Sequence, residues 1–164
     1  MHPKHNWLII MALSNFFFTS CSNQVTHRTD LINNPFPQAQ KELREVVETI
    51  ARDAETANIQ GLQAIHLQNP KFTKFGPRKF KRQDVASTNK SEADHFGSIF
   101  NFKQEIRELK IDVFGNIGIA TYYPYVSFEK NGKKINADGR QTLVFLKTEE
   151  GWKIIHEHGT VRKE

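Results

Sequence analysis

Two histidines, His156 and His158, stand two residues apart near the end of the 164-residue chain, within an expected strand from Trp152 to Val161. On a strand that spacing points both imidazoles to one side. There either can serve as a general base near neutral pH, or the pair can supply two of the ligands of a zinc site. Zinc would need a further ligand, and His66, His95 and Asp138 stand at no diagnostic spacing, so no metal is assigned. Trp152 and Ile154 share the parity of the histidines. The pattern therefore predicts one face that is apolar at its base and polar toward the strand end, the profile of a small-molecule pocket.

Arg140 belongs to the preceding stretch, with Asp138, Thr142, Val144 and Leu146 in its parity. A guanidinium on such a face needs a carboxylate partner or a ligand. With the histidines it would form an anion-binding end suited to a carboxylate; the plainer reading is a surface pair with Asp138 or a glutamate. Tyr122, Tyr123 and Tyr125 surround Pro124, and alternation sends Tyr122 to the pocket side and the other two to the opposite face. The predicted ligand-binding set is thus Tyr122, Arg140, Trp152, Ile154, His156 and His158. Asp112 and Asp138 lack the apolar surroundings that would turn a carboxylate into a base at neutral pH, so His156 and His158 remain the catalytic candidates. Nothing in the pattern implies a cofactor.

The start of the chain has a separate logic. Lys4 is followed by Trp7 to Phe18 (WLIIMALSNFFF), an apolar run too short to span a bilayer, which takes roughly 20 residues, but suited to the core of a signal peptide. Thr19-Ser20-Cys21 closes it and resembles the lipobox of bacterial lipoproteins, which implies cleavage before Cys21 and acylation of its thiol. Cys21 is the only cysteine, so no intrachain disulfide can form. Residues 1–20 are read as the signal, 21–36 as a lipid-anchored tether ending at Asn34-Pro35 and Pro37, and 37–164 as one domain. Loss of the signal removes Lys4 and leaves a net charge of +4, too mild an excess to imply nucleic acid.

The domain must position the candidate residues with few elements. Leu43, Val46, Val47, Ile50, Ala51 and Ala54 mark one face of a helix. Asn58 is placed to cap a second helix carrying Leu62, Ile65 and His66 inward. A short strand is expected over Phe72 to Phe75. The surrounding stretch contains Lys71, Lys74, Arg78, Lys79, Lys81 and Arg82 among three phenylalanines and no acid. It is read as a solvated loop whose phenylalanines reach the core, with anionic lipid headgroups as the alternative partner. Ser91 with Asp94 suggests a cap for a third helix bearing Phe96, Ile99 and Phe100. From Gln104 onward the period becomes two. Strands over 106–113, 117–128, 134–147 and 152–161 are separated by Gly115-Asn116, Asn131-Gly132 and Glu149-Glu150-Gly151. Helices followed by an antiparallel meander give an α+β fold.

The run GRQTLVFLKTEEGWKIIHEHGT (Gly139 to Thr160), with VFGNIGIATY upstream, resembles SnoaL-like proteins of the nuclear transport factor 2-like superfamily. Gly159 stands where that family often has Ser. The resemblance implies a cone, a strongly curved antiparallel sheet wrapped around N-terminal helices, and homodimers formed through the outer sheet face. It covers isomerases, cyclases and dehydratases as well as binding and assembly domains, so the fold alone does not fix the activity. The expected function is binding of a small organic molecule by a membrane-tethered domain of the bacterial cell envelope, without nucleic acid. The alternatives are an acid–base enzyme acting on a carbonyl compound and a non-catalytic assembly module.

Overall fold

A computed structural model describes residues 29–77 and 80–163. The expected signal segment and Cys21 lie outside the described residues. Helix α1 (Pro37–Glu55) begins with Pro37 at its first position, as its preset φ allows, and buries Leu43, Val47 and Ala54. Asn58 caps α2 (Ile59–Ile65) through its side chain, which accepts from the Gly61 N–H at 3.2 Å. After β1 (Thr73–Phe75), α3 spans Val85–Phe96. It starts earlier than Ser91 suggested, because the Asp84 side chain caps it by accepting from the Ser87 N–H at 2.8 Å. Ser91 lies mid-helix, where its hydroxyl donates to the Thr88 carbonyl. Ile99 and Phe100 fall beyond the helix; Ile99 is buried and Phe100 exposed.

Strands β2 (Phe100–Phe114), β3 (Ile117–Lys130), β4 (Lys133–Thr148) and β5 (Gly151–Lys163) form an antiparallel meander, and β1 adds to β5 in parallel. The result is an open, curved five-stranded sheet ordered β1-β5-β4-β3-β2. Asn131 and Gly132 both take positive φ, 50° and 70°, which a two-residue turn matching the twist of its strands requires. Two register shifts bend β2, next to Asn101 and Glu108, whose φ values of 52° and 53° mark bulges.

The helices cover the concave face, where Leu43 and Val47 meet Ile111, Val113, Ala120, Leu143, Phe145, Trp152 and Ile154. The approach is closest at Gly118, where an added Cβ would come within 2.2 Å of Leu43 Cδ1. Among the described residues no helix is long and apolar enough to cross a membrane.

Candidate functional site

The decisive local event is a register shift in β5. Val144 pairs with His156 but Phe145 pairs with Ile154, leaving Ile155 as an extra residue. A bulge of this kind reverses which residues face the core. Before it, Trp152 and Ile154 are buried on the concave face; after it, Glu157 and Gly159 take that face and His156 and His158 turn outward. The shared face predicted for Trp152, Ile154 and the two histidines is thereby corrected, since strict alternation does not survive an inserted residue.

On the outer face His156 Nδ1 lies 2.8 Å from Thr73 Oγ1, and Phe75 meets the rings of His156 and His158 edge-on at 5.9 and 6.1 Å. Arg140 is exposed on the same side, opposite Thr160. Asp138 is engaged by Arg107 and Arg162 at 3.6 and 3.8 Å, and Arg107 stacks over Tyr125 at 4.5 Å. Asp112 pairs with Lys110. The structure therefore does not bring Arg140 and the histidines together with Tyr122. Trp152 is a core residue whose indole N–H donates to Glu42 at 3.0 Å. It also borders a groove of about 470 Å³ between α1, α2 and the β4–β5 turn, lined by Glu45, Val46, Ile50 and Ile65 among others.

The concave face holds a different set, of which the sequence reading had placed only Tyr122 and His66 inward. Lys74, on β1 opposite Glu157, is buried and puts its Nζ 2.9 Å from Glu157 Oε1 and 2.7 Å from Glu92 Oε1 of α3. His66, at the end of α2 and only 3% exposed, holds Nε2 at 3.6 Å from Glu157 Oε2 and 3.8 Å from Glu92 Oε1. Its Nδ1 lies 3.2 Å from Asn89 Oδ1. Gln141 donates to Glu157 Oε1 at 3.0 Å. Gly159 makes room for that amide, because an added Cβ would sit 2.7 Å from Gln141 Oε1. Tyr122 is buried beside this group and hydrogen-bonds Gln104. Further along the interior, Phe96, Phe102 and Phe128 form an aromatic cluster with His95.

Burial alone would push the Glu157 carboxyl up, but the Lys74 ammonium, with a hydrogen bond and charge from His66, pulls it down to about 2. Burial likewise opposes the Lys74 charge, and the two carboxylates more than compensate, raising its pKa above the ordinary lysine value. Tyr122 is raised by burial and by the Glu157 charge, so its phenol keeps its proton. Glu157 is thus a fixed anion and a poor base. His66, Glu92 and Glu157 place one donor atom each within 4.8 Å of one another, a spacing a metal ion can use. The Lys74 ammonium already supplies the positive charge between the carboxylates. One oxygen, Glu92 Oε2, is buried with no hydrogen bond among the described residues, as is Thr88 Oγ1 one turn earlier on α3.

The family model of the SnoaL-like domain matches residues 43–162, which takes in every one of these groups. The chain belongs to the SnoaL-like family. Solved structures agree with the fold of this SnoaL-like domain. A candidate dehydratase of the nuclear transport factor 2-like family from Streptomyces avermitilis superposes with a TM-score of 0.69 at 13% identity, covering 77% of this chain and 97% of that one. A nuclear transport factor 2-like superfamily protein from Salmonella enterica serovar Typhimurium gives 0.69 at 18% identity, covering 76% and 91%. A candidate aromatic ring hydroxylase from Novosphingobium aromaticivorans gives 0.68 at 12%, covering 78% and 94%. At these identities the likeness concerns the fold alone. No curated protein gives a significant sequence match.

Proposed function

We propose that this chain is a cell-envelope lipoprotein whose SnoaL-like domain binds a small organic molecule on the concave face of its sheet. The ligand would meet Tyr122, Glu92, Glu157 and His66, between the apolar base around Ile154 and the aromatic cluster of Phe96, Phe102 and Phe128. The observation that carries this reading is the buried Glu92 oxygen without a hydrogen bond. A buried acceptor left unpaired is costly, more so on a charged group, and a ligand that donates there repays the cost. Two carboxylates face one lysine and one histidine. The complementary ligand is therefore a hydrogen-bond donor such as an amine or a hydroxylated compound, in place of the carboxylate expected from Arg140.

A thermal-shift screen of the mature protein checks this. A ligand at 100 times its dissociation constant should add about 2.7 kcal/mol of stability. Amines and polyols should give hits whose shift Glu92→Gln clearly reduces, whereas hits confined to carboxylates would contradict the reading.

The anchor belongs to the same proposal. Cys21→Ser should abolish incorporation of labelled fatty acid and release the protein from the membrane fraction. Unchanged labelling would overturn it. A homodimer through the outer sheet face is also proposed, with Tyr123, 49% exposed, at the contact.

A second reading, an acid–base enzyme, is favoured by His66, an imidazole facing two carboxylates while its other nitrogen is held by Asn89. It requires turnover that disappears in His66→Gln while the ligand still binds.

A further inference from the structure

The chain between β1 and α3 leaves and re-enters the fold at one point. The Lys74 N–H donates to the Gln83 carbonyl at 3.0 Å, and the Gln83 N–H returns to the Lys74 carbonyl at 2.9 Å. The loop closed by this pair, residues 75–82, reads FGPRKFKR: Arg78, Lys79, Lys81 and Arg82, two phenylalanines and no acid. The phenylalanines in this part of the chain divide. Phe72 is a core residue, Phe75 is 40% exposed on the outer face, and Phe80 is fully exposed. Lys81 and Arg82 beside it are exposed too. Lys74 has turned inward to Glu92 and Glu157, whereas Lys81 and Arg82 stay on the surface.

An aromatic ring left wholly in water forgoes the stabilisation that burial of such a side chain provides. Basic residues on either side of it attract an anionic surface. Lipid interfaces satisfy both demands at once, taking the ring at the acyl boundary and the cations among the headgroups.

We propose that the exposed segment Phe80-Lys81-Arg82 between β1 and α3 is a membrane contact that seats Phe80 at an anionic lipid surface, with Lys81 and Arg82 on its headgroups. The proposal rests on the envelope location put forward above, but its test does not depend on lipidation.

The test uses the full chain carrying Cys21→Ser and measures flotation with phosphatidylcholine vesicles, with and without phosphatidylglycerol. The apolar stretch 7–18 gives a background common to every variant. The expected result is a preference for the anionic vesicles that Lys81→Glu/Arg82→Glu reduces by at least about 25-fold, about fivefold per basic residue at the surface. Phe80→Ser should weaken binding several-fold. The same charge change placed elsewhere, Lys133→Glu/Lys134→Glu at the exposed start of β4, should leave the preference nearly intact. Equal binding to both vesicle types would overturn the proposal and leave an acidic protein surface as the occupant of the loop. A loss as large in the Lys133/Lys134 variant would overturn it as well, by showing that net charge alone sets the binding. Cys21 acylation, read separately by fatty-acid labelling, fails or holds independently of either result.

Discussion

The two faces of β5 carry similar chemistry in opposite circumstances. Inside, Glu157 sits with Lys74, Glu92 and His66, where each charge is tolerated only because its neighbours compensate it. Outside, His156, His158 and Arg140 stand near Thr73, Phe75 and Thr160, and water is available to Arg140 and His158. Ionisable groups are therefore packed within ion-pair distance of one another on one face and spread toward solvent on the other. A single inserted residue, Ile155, decides which residues go where.

The contrast is broken most severely by unbalancing the inner set. Lys74→Met leaves the Glu92 and Glu157 carboxylates without the ammonium between them and should cost about 3–5 kcal/mol, as breaking buried pairs does. Urea denaturation would measure it. Adding Glu157→Gln to that variant should recover part of the loss, because the pair is coupled.

Acid should expose the same coupling. The folded-state pKa of Glu157, about 2, lies below the ordinary 4.5. Its stabilisation is therefore complete above about pH 4.5 and lost as the pH falls toward 2. Denaturation at pH 5 and pH 2.5 should differ by an amount on the order of a few kcal/mol from this group, and Glu157→Gln should remove that part of the slope. Gly118→Ala tests the packing that seats α1 on the sheet. The added methyl would drive into Leu43, and overpacking of this sort costs about 1–3 kcal/mol, read as a lowered Tm. The smallest effects belong to the outer face. Arg140→Ala and His158→Ala should each change stability by no more than about 0.5 kcal/mol.

The helix faces, the Asn58 cap, the Asn131-Gly132 turn and the meander were legible in the sequence because each depends on local periodicity or turn chemistry. So was the burial of Tyr122, which follows from plain alternation along an unbroken part of β3. The orientation of His156 and His158 was not, because nothing in the residues around Ile155 announces the bulge. Nor was the inner ion set. Lys74 lay hidden in a basic stretch that reads as solvated, and Glu92 in a helix whose start was placed too late. Glu157 fell on the outward parity of an unbulged strand. The one available signal was the resemblance across Gly139 to Thr160, which spans Glu157 without distinguishing it from the histidines on either side. Phe80 was expected in the core but is fully exposed, and the Lys74–Gln83 pairing beside it has no local sequence signature.

Calorimetric titration of one ligand from the thermal-shift screen, against variants of both faces, tests the central claim most directly. If the ligand sits on the concave face, Glu92→Gln and Tyr122→Phe should each weaken it by about tenfold or more, as loss of a hydrogen bond involving a charged or buried group does. Arg140→Ala and His158→Ala should leave the affinity unchanged. Affinity lost in Arg140→Ala or His158→Ala and kept in Glu92→Gln would place the binding site on the outer face and contradict the account.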